Sequence, residues 1–272
     1  MSTLSPDRIV SSKELADELS KLPPQKFFKS GLEGLDTLLK GFAEGDFIVV
    51  AGEQKSGKTT LCATLTRRFT QQDIPCLWFS VELPYQELFD QVFRGDPPLF
   101  YLPRTRDEKS VQWIEKKIKE AVEKFGIKVV FIDHLGLVRD EKTFLQRNSI
   151  DIIDERIAQL RELALKYRIC LFGVSEYNKE SINKADKTEM KTGNLRGTAR
   201  LGYTASAVIG IERLAGVKTA RVWQDIKNQP EDIFLKTDMW IYVLDCRRSG
   251  ARKIKIKCYQ NDMGDICEYE MV

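Results

Sequence analysis

Apolar residues along the chain follow two alternating patterns from residue 47 onward. Short, continuous apolar runs are typical of strands buried in a parallel sheet, and spacing of three or four residues is typical of helices that cover such a sheet. The predicted strands are Phe47–Ala51, Cys76–Ser80, Val129–Asp133, Ile169–Val174 and Ala207–Ile211. The predicted helices lie near 58–72, 84–93, 109–125 and 149–167. This order predicts an α/β domain with a mostly parallel central sheet flanked by helices.

The C-terminal third has a different pattern. Three further apolar runs, Trp240–Asp245, Lys253–Cys258 and Ile266–Met271, are separated by short polar sequences at 248–250 and 261–264. Runs joined by such short turns are typical of antiparallel strands. We therefore expect an antiparallel extension beside the parallel sheet.

A short amphipathic segment precedes the alternating region. Ser11 and Glu14 have the spacing of a capping box, and the two prolines at 23–24 end the helical pattern. The apolar face consists of Leu15, Leu19 and Leu22. Because so short a helix is unstable alone, its leucines should pack on the chain's own core or on a neighbouring subunit. We therefore divide the chain into an N-terminal arm, 1–27, able to link subunits, and a core domain, 28–272.

Composition narrows the class of protein. The 272 residues are 42% hydrophobic and 31% charged, as in ordinary globular proteins, and the net charge of +3 is too small to indicate a polyanionic partner. The six cysteines form no CxxC pair and there is a single histidine, so we expect a reducing compartment and no zinc site. No run approaches 18 apolar residues and the N-terminus lacks a signal sequence, which favours a cytoplasmic protein without a membrane segment.

The sequence GEQKSGKT at 52–59 matches GxxxxGK[ST], the phosphate-binding loop, and lies between a predicted strand and a predicted helix. Glycines let backbone N–H groups surround phosphate oxygens, and the helix N-terminus adds a favourable dipole. We expect Lys58 to reach the β- and γ-phosphates of ATP and the Thr59 hydroxyl to bind Mg²⁺. The predicted nucleotide-binding residues are Gly52, Glu53, Gln54, Lys55, Ser56, Gly57, Lys58, Thr59 and Thr60.

Two carboxylates follow predicted strands. Asp133 ends the run VVFID, and Glu82 comes just after the run at 76–80. Ligands of an open parallel sheet bind at the carboxyl ends of its strands, so both acids should lie beside the phosphate loop. There Asp133 can hold Mg²⁺, and Glu82 can polarise water for attack on the γ-phosphate. The alternatives are an ordinary turn for Asp133 and a helix N-terminus before Pro84 for Glu82.

Taken in order, the segments GEQKSGKTT, FSVELP, VVFIDHL and LFGVSEYNK resemble the RecA-like motor domain of DnaB-type hexameric replicative helicases. Twinkle and the phage primase-helicases belong to the same broad group, and the stretch 195–206 is closer to RepA-like plasmid helicase ATPases. The resemblance covers about residues 28–272. It implies a P-loop NTPase fold, ATP and Mg²⁺ as cofactors, single-stranded DNA as a partner and assembly into a homo-oligomeric ring. It further implies that Lys58 and Glu82 are catalytic and that Thr59 and Asp133 bind the metal.

The resemblance also implies a catalytic role for Arg248. In the segment CRRSG this residue matches the family's arginine finger, which acts on the nucleotide of the neighbouring subunit. A guanidinium presented on a hairpin can neutralise charge on the transferred phosphoryl group. The alternative is a solvated basic turn.

Two positions depart from the family pattern. Glu176 follows Ser175 where the family has Gln, and Cys246 stands where it has Lys, two positions before Arg248. The resemblance assigns the position of Glu176 to a sensor between the γ-phosphate and the DNA site. A carboxylate there repels phosphate unless it is protonated or paired.

The stretch 179–200 contains six basic and three acidic residues, with two glycines. In the motors that this chain resembles, the corresponding region faces a central channel and grips backbone phosphates. The nucleic-acid contacts predicted on this basis are Lys184, Lys187, Lys191, Arg196 and Arg200. A solvated surface loop is the alternative.

The sequence thus predicts an ATPase that moves on or remodels nucleic acid as a DnaB-like ring helicase. Two alternatives stay open. A recombinase-like ATPase would form filaments and use residues 1–27 to bind the next subunit. A non-motor nucleotide switch would control protein assembly, and Glu176 and Cys246 favour it slightly.

Overall fold

The computed structural model describes residues 8–22, 24–106, 108–139, 149–176, 204–213, 239–248 and 254–268. An eight-stranded sheet runs through these residues in the order β10-β9-β8-β7-β3-β6-β5-β4. Its strands are β3 (Phe47–Gly52), β4 (Cys76–Ser80), β5 (Val129–Asp133), β6 (Cys170–Glu176), β7 (Ala207–Arg213), β8 (Met239–Cys246), β9 (Ile254–Gln260) and β10 (Ile266–Glu268). Strands β4, β5, β6, β3 and β7 are parallel, and β8, β9 and β10 continue the sheet antiparallel to one another. The predicted parallel sheet with an antiparallel extension is confirmed.

Helices cover both faces of this sheet, although the first helix of the chain buries none of its residues. They are α1 (Ser12–Ser20), α2 (Glu33–Leu39), α3 (Lys58–Thr70), α4 (Tyr85–Glu87), α5 (Val111–Phe125) and α6 (Ser149–Lys166). A small separate sheet pairs β1 (Phe27–Phe28) with β2 (Phe42–Ala43). The helix predicted near 84–93 is shorter than expected, because the three residues of α4 are followed by a π-helical turn, Leu88–Val92.

Successive strand residues point to two packed layers, as the pleat of a strand requires. The layer under α3 includes Val50, Phe131, Phe172, Leu61 and Phe69. The layer under α5 and α6 includes Val49, Val130, Leu171, Ile118 and Leu160. Because side chains alternate, Asp133 and Glu176 continue the α3 face at the ends of β5 and β6. The polar ends of these strands therefore lie on the side of the sheet where α3 begins.

Helix α1 begins after Ser11, whose hydroxyl accepts a hydrogen bond from the Glu14 amide at 3.1 Å, as the capping pattern predicts. The helix buries none of its residues, and Leu15 and Leu19 are 38% and 48% exposed. The leucine face therefore does not dock on the described part of its own chain. Within that part, no helix has the length and apolar composition needed to cross a bilayer.

Candidate nucleotide-binding site

The phosphate loop connects the end of β3 to the start of α3, and its backbone is tightly packed at Gly52. Gly57, which precedes α3, has a φ of 105°, a left-handed conformation that favours glycine. A β-carbon at Gly52 would lie 2.4 Å from the Ser56 hydroxyl and 2.5 Å from the carbonyl oxygen of Ile211. These contacts exclude a β-carbon at position 52, and the positive φ favours glycine at position 57. Gly57 provides no side chain to cap the first turn of α3, so the amides of that turn point toward the loop.

Lys58 is buried at the base of this loop. Its ammonium group donates hydrogen bonds to the carbonyl oxygens of Gly52 at 3.2 Å and Glu53 at 2.7 Å. Burial lowers the pKa of Lys58, and the nearby carboxylates of Glu176, Asp133 and Glu82 oppose that effect, in decreasing order. The three acids that the sequence singled out therefore all raise the pKa of one lysine.

Asp133 ends β5 and is 3% exposed. The Thr59 hydroxyl donates a hydrogen bond of 2.7 Å to its Oδ2 atom. Burial raises the pKa of Asp133 to about 6; the Thr59 hydrogen bond lowers it, Glu82 raises it further and Lys58 lowers it. Its Oδ1 atom is buried without a hydrogen-bond partner among the described residues. The Thr59 hydroxyl and the Asp133 carboxylate, one of whose oxygens is unsatisfied, supply hard oxygen ligands of the kind that Mg²⁺ prefers, so these residues fit this metal.

Glu82 follows β4, the edge strand next to β5. The carbonyl oxygen of Asp133 accepts hydrogen bonds from the amides of Val81 at 2.6 Å and Glu82 at 3.1 Å. The Glu82 side chain is exposed. Strands β6 and β5 separate β4 from the loop-bearing strand β3, so Glu82 is linked to Asp133 by the backbone of the turn after β4 and not to β3 by strand pairing.

Glu176 ends β6 and pairs with Gly52 in the parallel register of β3 and β6. It lies on the same face as Phe172 and Val174, which pack in the layer under α3. The residue predicted as a sensor is therefore adjacent to the first residue of the phosphate loop.

Arg248 lies at the opposite end of the sheet. Cys246 pairs with Ala207, which in turn pairs with Ile48 near the start of β3. The guanidinium forms an ion pair with Asp46 and donates to the carbonyl oxygens of Gly41 at 2.8 Å and Leu39 at 3.3 Å. It also lies 5.0 Å from the centre of the Phe27 ring. Arg248 is thus held by contacts within its own chain, and an action on a neighbour's nucleotide stays a prediction.

Two basic residues contact the turn that carries Glu82, and the sequence pattern does not predict these contacts. Arg106 and Lys109 donate hydrogen bonds to backbone carbonyl oxygens of the turn after β4. No sequence signal identifies such contacts, because every residue has a carbonyl group. The predicted nucleic-acid residues Lys184, Lys187, Lys191, Arg196 and Arg200 lie outside the described residues.

Comparisons with known proteins show what the chain is similar to in sequence and fold. Residues 28–96 match the family described as DnaB-like helicase C terminal domain. A probable replicative DNA helicase of Trieres chinensis is 23% identical over 224 residues, which cover 71% of this chain and 49% of that protein. The chain spans about half the length of the curated relatives it matches.

Solved structures show the same fold. A DnaB-like replicative helicase superposes with a TM-score of 0.67 at 14% identity, covering 95% of this chain and 67% of that one. A KaiC-like protein from Pyrococcus horikoshii OT3 superposes with a TM-score of 0.59 at 18% identity, covering 90% of this chain and 100% of that one. The chain thus has a RecA-like P-loop NTPase fold and is similar to the ATPase domain of DnaB-like replicative helicases, as its motifs predict.

Proposed function

We propose that this chain is an ATPase that couples ATP hydrolysis to movement on, or remodelling of, nucleic acid, as a DnaB-like ring helicase on single-stranded DNA. One observation supports this most directly: the Thr59 hydroxyl and the Asp133 carboxylate meet at 2.7 Å beside the phosphate loop. These residues are 74 positions apart in the sequence, and the fold brings together the pair expected to hold a nucleotide's metal. The names of the curated relatives, which are replicative DNA helicases, support the same reaction.

In this proposal the chain's own residues bind and orient the nucleotide. Lys58 exchanges its two carbonyl partners for β- and γ-phosphate oxygens. Thr59 and Asp133 hold Mg²⁺, which neutralises charge on the phosphates when bound. Glu82, exposed at the mouth of the site, orients water and accepts its proton.

Nucleic-acid binding and ring assembly belong to the same proposal. The basic residues between 184 and 200 are the proposed contacts to DNA phosphates. The exposed leucine face of α1 supports a link to a neighbouring subunit. Arg248 would then act on the neighbour's nucleotide, and a cytoplasmic location is consistent with this role.

The decisive experiment measures steady-state ATP hydrolysis with and without single-stranded DNA over a range of protein concentrations. We expect stimulation by DNA and a specific rate that rises as subunits assemble. Hydrolysis that ignores DNA would favour the nucleotide switch, and open filaments with ATP in negative-stain images would favour the recombinase-like alternative.

Two substitutions separate binding from chemistry. Lys58→Ala should remove nucleotide binding or turnover, whereas Glu82→Gln should keep binding but lower kcat by at least about 100-fold, because it removes the base alone. Glu87→Gln, five residues away on the exposed helix α4, is the matched control. Normal turnover by Glu82→Gln would disprove the assignment of the base.

A further inference from the structure

The backbone turn that carries Glu82 is held from two sides. From β5, the carbonyl oxygen of Asp133 accepts the amides of Val81 and Glu82. From the other side, Arg106 donates to three consecutive carbonyl oxygens: those of Ser80 at 2.7 Å, Glu82 at 3.2 Å and Val81 at 3.3 Å. A single guanidinium therefore fixes the whole turn.

Neighbouring groups reinforce this contact. The Lys109 ammonium donates to the Val81 carbonyl oxygen at 3.1 Å. The Arg106 guanidinium lies 5.6 Å from the centre of the Tyr85 ring, and the Tyr85 hydroxyl donates to the carbonyl oxygen of Pro103 at 2.5 Å. The Tyr85 ring thus contacts Arg106 and is hydrogen-bonded to the loop that carries Arg106, so the donors of the arginine are preorganised.

We infer that Arg106 is a positioning residue for Glu82. Because the Glu82 side chain is exposed, its position relative to the phosphate loop depends on the backbone that carries it. Arg106 acts on that backbone, and its hydrogen bonds to described residues end on the turn and not on the phosphate loop. A displacement of about 1 Å in a catalytic group lowers the rate by up to about 100-fold. The inference rests on the proposed function, since it requires Glu82 to be the base.

The first test compares Arg106→Ala with wild type and with Arg104→Ala, which changes an exposed arginine in the same loop. For Arg106→Ala we expect kcat to fall about 10- to 100-fold, while KM and the Kd for a non-hydrolysable ATP analogue stay within about twofold. Arg106→Lys should give an intermediate kcat, because an ammonium group cannot reproduce three fixed donors. Arg104→Ala should match wild type. A normal kcat in Arg106→Ala would overturn the inference.

The second test distinguishes positioning from a general structural role. If Arg106 acts only through Glu82, adding Arg106→Ala to Glu82→Gln should leave the residual rate unchanged within about twofold. A further multiplicative loss would overturn the inference. If wild type does not hydrolyse ATP, or Glu82→Gln hydrolyses it normally, the proposed function fails instead.

A variant with a smaller perturbation covers the case in which Arg106→Ala does not fold. Lys109→Met removes one of the hydrogen bonds to the Val81 carbonyl oxygen and keeps the length of the side chain. We expect kcat to fall about threefold with unchanged nucleotide affinity. An unchanged kcat in this variant would contradict the inference that hydrogen bonds to this turn position Glu82.

Discussion

Buried charged groups have different kinds of partners at the two ends of the central sheet. At the amino ends of the parallel strands, Asp46 is 6% exposed and accepts hydrogen bonds from Arg248 and from the Ala43 amide at 2.7 Å. At the carboxyl ends, Lys58 donates to backbone carbonyl oxygens, and three carboxylates raise its pKa against the effect of burial. Asp133, also at the carboxyl ends, has a buried oxygen without a partner among the described residues.

This difference in pairing distinguishes charges that stabilise the fold from charges that bind a ligand. A buried charge that is fully paired holds elements together, whereas a buried charge without a complete set of partners raises the free energy of the folded state. Such a cost is retained where a ligand completes the set of partners. On this basis, removal of the Arg248 cation at the amino ends should lower stability, and removal of the Asp133 charge at the carboxyl ends should raise stability while impairing nucleotide binding or hydrolysis.

The largest effect is expected at the amino ends. Arg248→Ala should lower the free energy of unfolding by about 3 to 4 kcal/mol, because it leaves the buried Asp46 carboxylate without its cation. Urea unfolding monitored by circular dichroism measures this change. The double variant Arg248→Ala, Asp46→Asn is the control and should recover part of the loss. An Arg248→Ala protein as stable as wild type would show that the ion pair contributes nothing.

The same variant also tests the arginine finger. If Arg248 acts on the neighbour's nucleotide, Arg248→Ala should abolish cooperative hydrolysis while each site keeps its nucleotide affinity. An unchanged rate at protein concentrations that permit assembly would leave Arg248 with its structural role only.

At the carboxyl ends, removal of a charge should increase the free energy of unfolding instead of lowering it. Asp133→Asn should raise the free energy of unfolding at pH 7 by roughly 2 kcal/mol, because it removes a charge that burial disfavours, and should abolish Mg²⁺-dependent nucleotide binding. The comparison requires chelator in the stability measurement, so that no metal binds the wild-type carboxylate. A loss of stability in Asp133→Asn would mean that its contact with Thr59 outweighs the cost of burial.

The pH dependence follows from the same pKa. Burial raises the pKa of Asp133 to about 6 from 3.8, so the folded protein binds this proton more tightly than the unfolded chain. The contribution of Asp133 to stability therefore falls as the pH rises from about 4 to about 6 and is constant above that range. Asp133→Asn should remove this dependence, which unfolding at several pH values would measure against wild type.

The carboxyl ends were more predictable from sequence than the amino ends. The phosphate loop is a contiguous motif, and Asp133 ends an apolar run, so local pattern sufficed for both. Arg248 and Asp46 are 202 positions apart, and nothing in either segment indicates the other. The contacts of Arg106 could not be predicted from sequence either, because they are made to backbone carbonyl oxygens, which every residue has. Local spacing specifies elements and motifs, whereas long-range pairing depends on how the strands are ordered.

The smallest expected effect concerns Glu176, which stands where the resembled family has Gln. The substitution Glu176→Gln removes the charge and tests this departure from the family pattern. Glu176 pairs with Gly52 in the strand register, and its carboxylate is the strongest of the three opposing the effect of burial on Lys58. A triphosphate brought to this position meets an added negative charge. Glu176→Gln should therefore bind Mg-ATP about three- to tenfold more tightly, close to 1 kcal/mol, with a smaller gain for Mg-ADP.

Titration calorimetry with both nucleotides measures this difference, and Glu87→Gln, which changes an exposed carboxylate outside the loop, is the control. A selective gain for ATP would show that the carboxylate weakens the hold on the γ-phosphate. Equal gains for both nucleotides would place its effect on the α- and β-phosphates instead. Weaker binding by Glu176→Gln would mean that the carboxylate itself contributes to the nucleotide site, and that its position has kept a binding role despite the departure from the family's Gln.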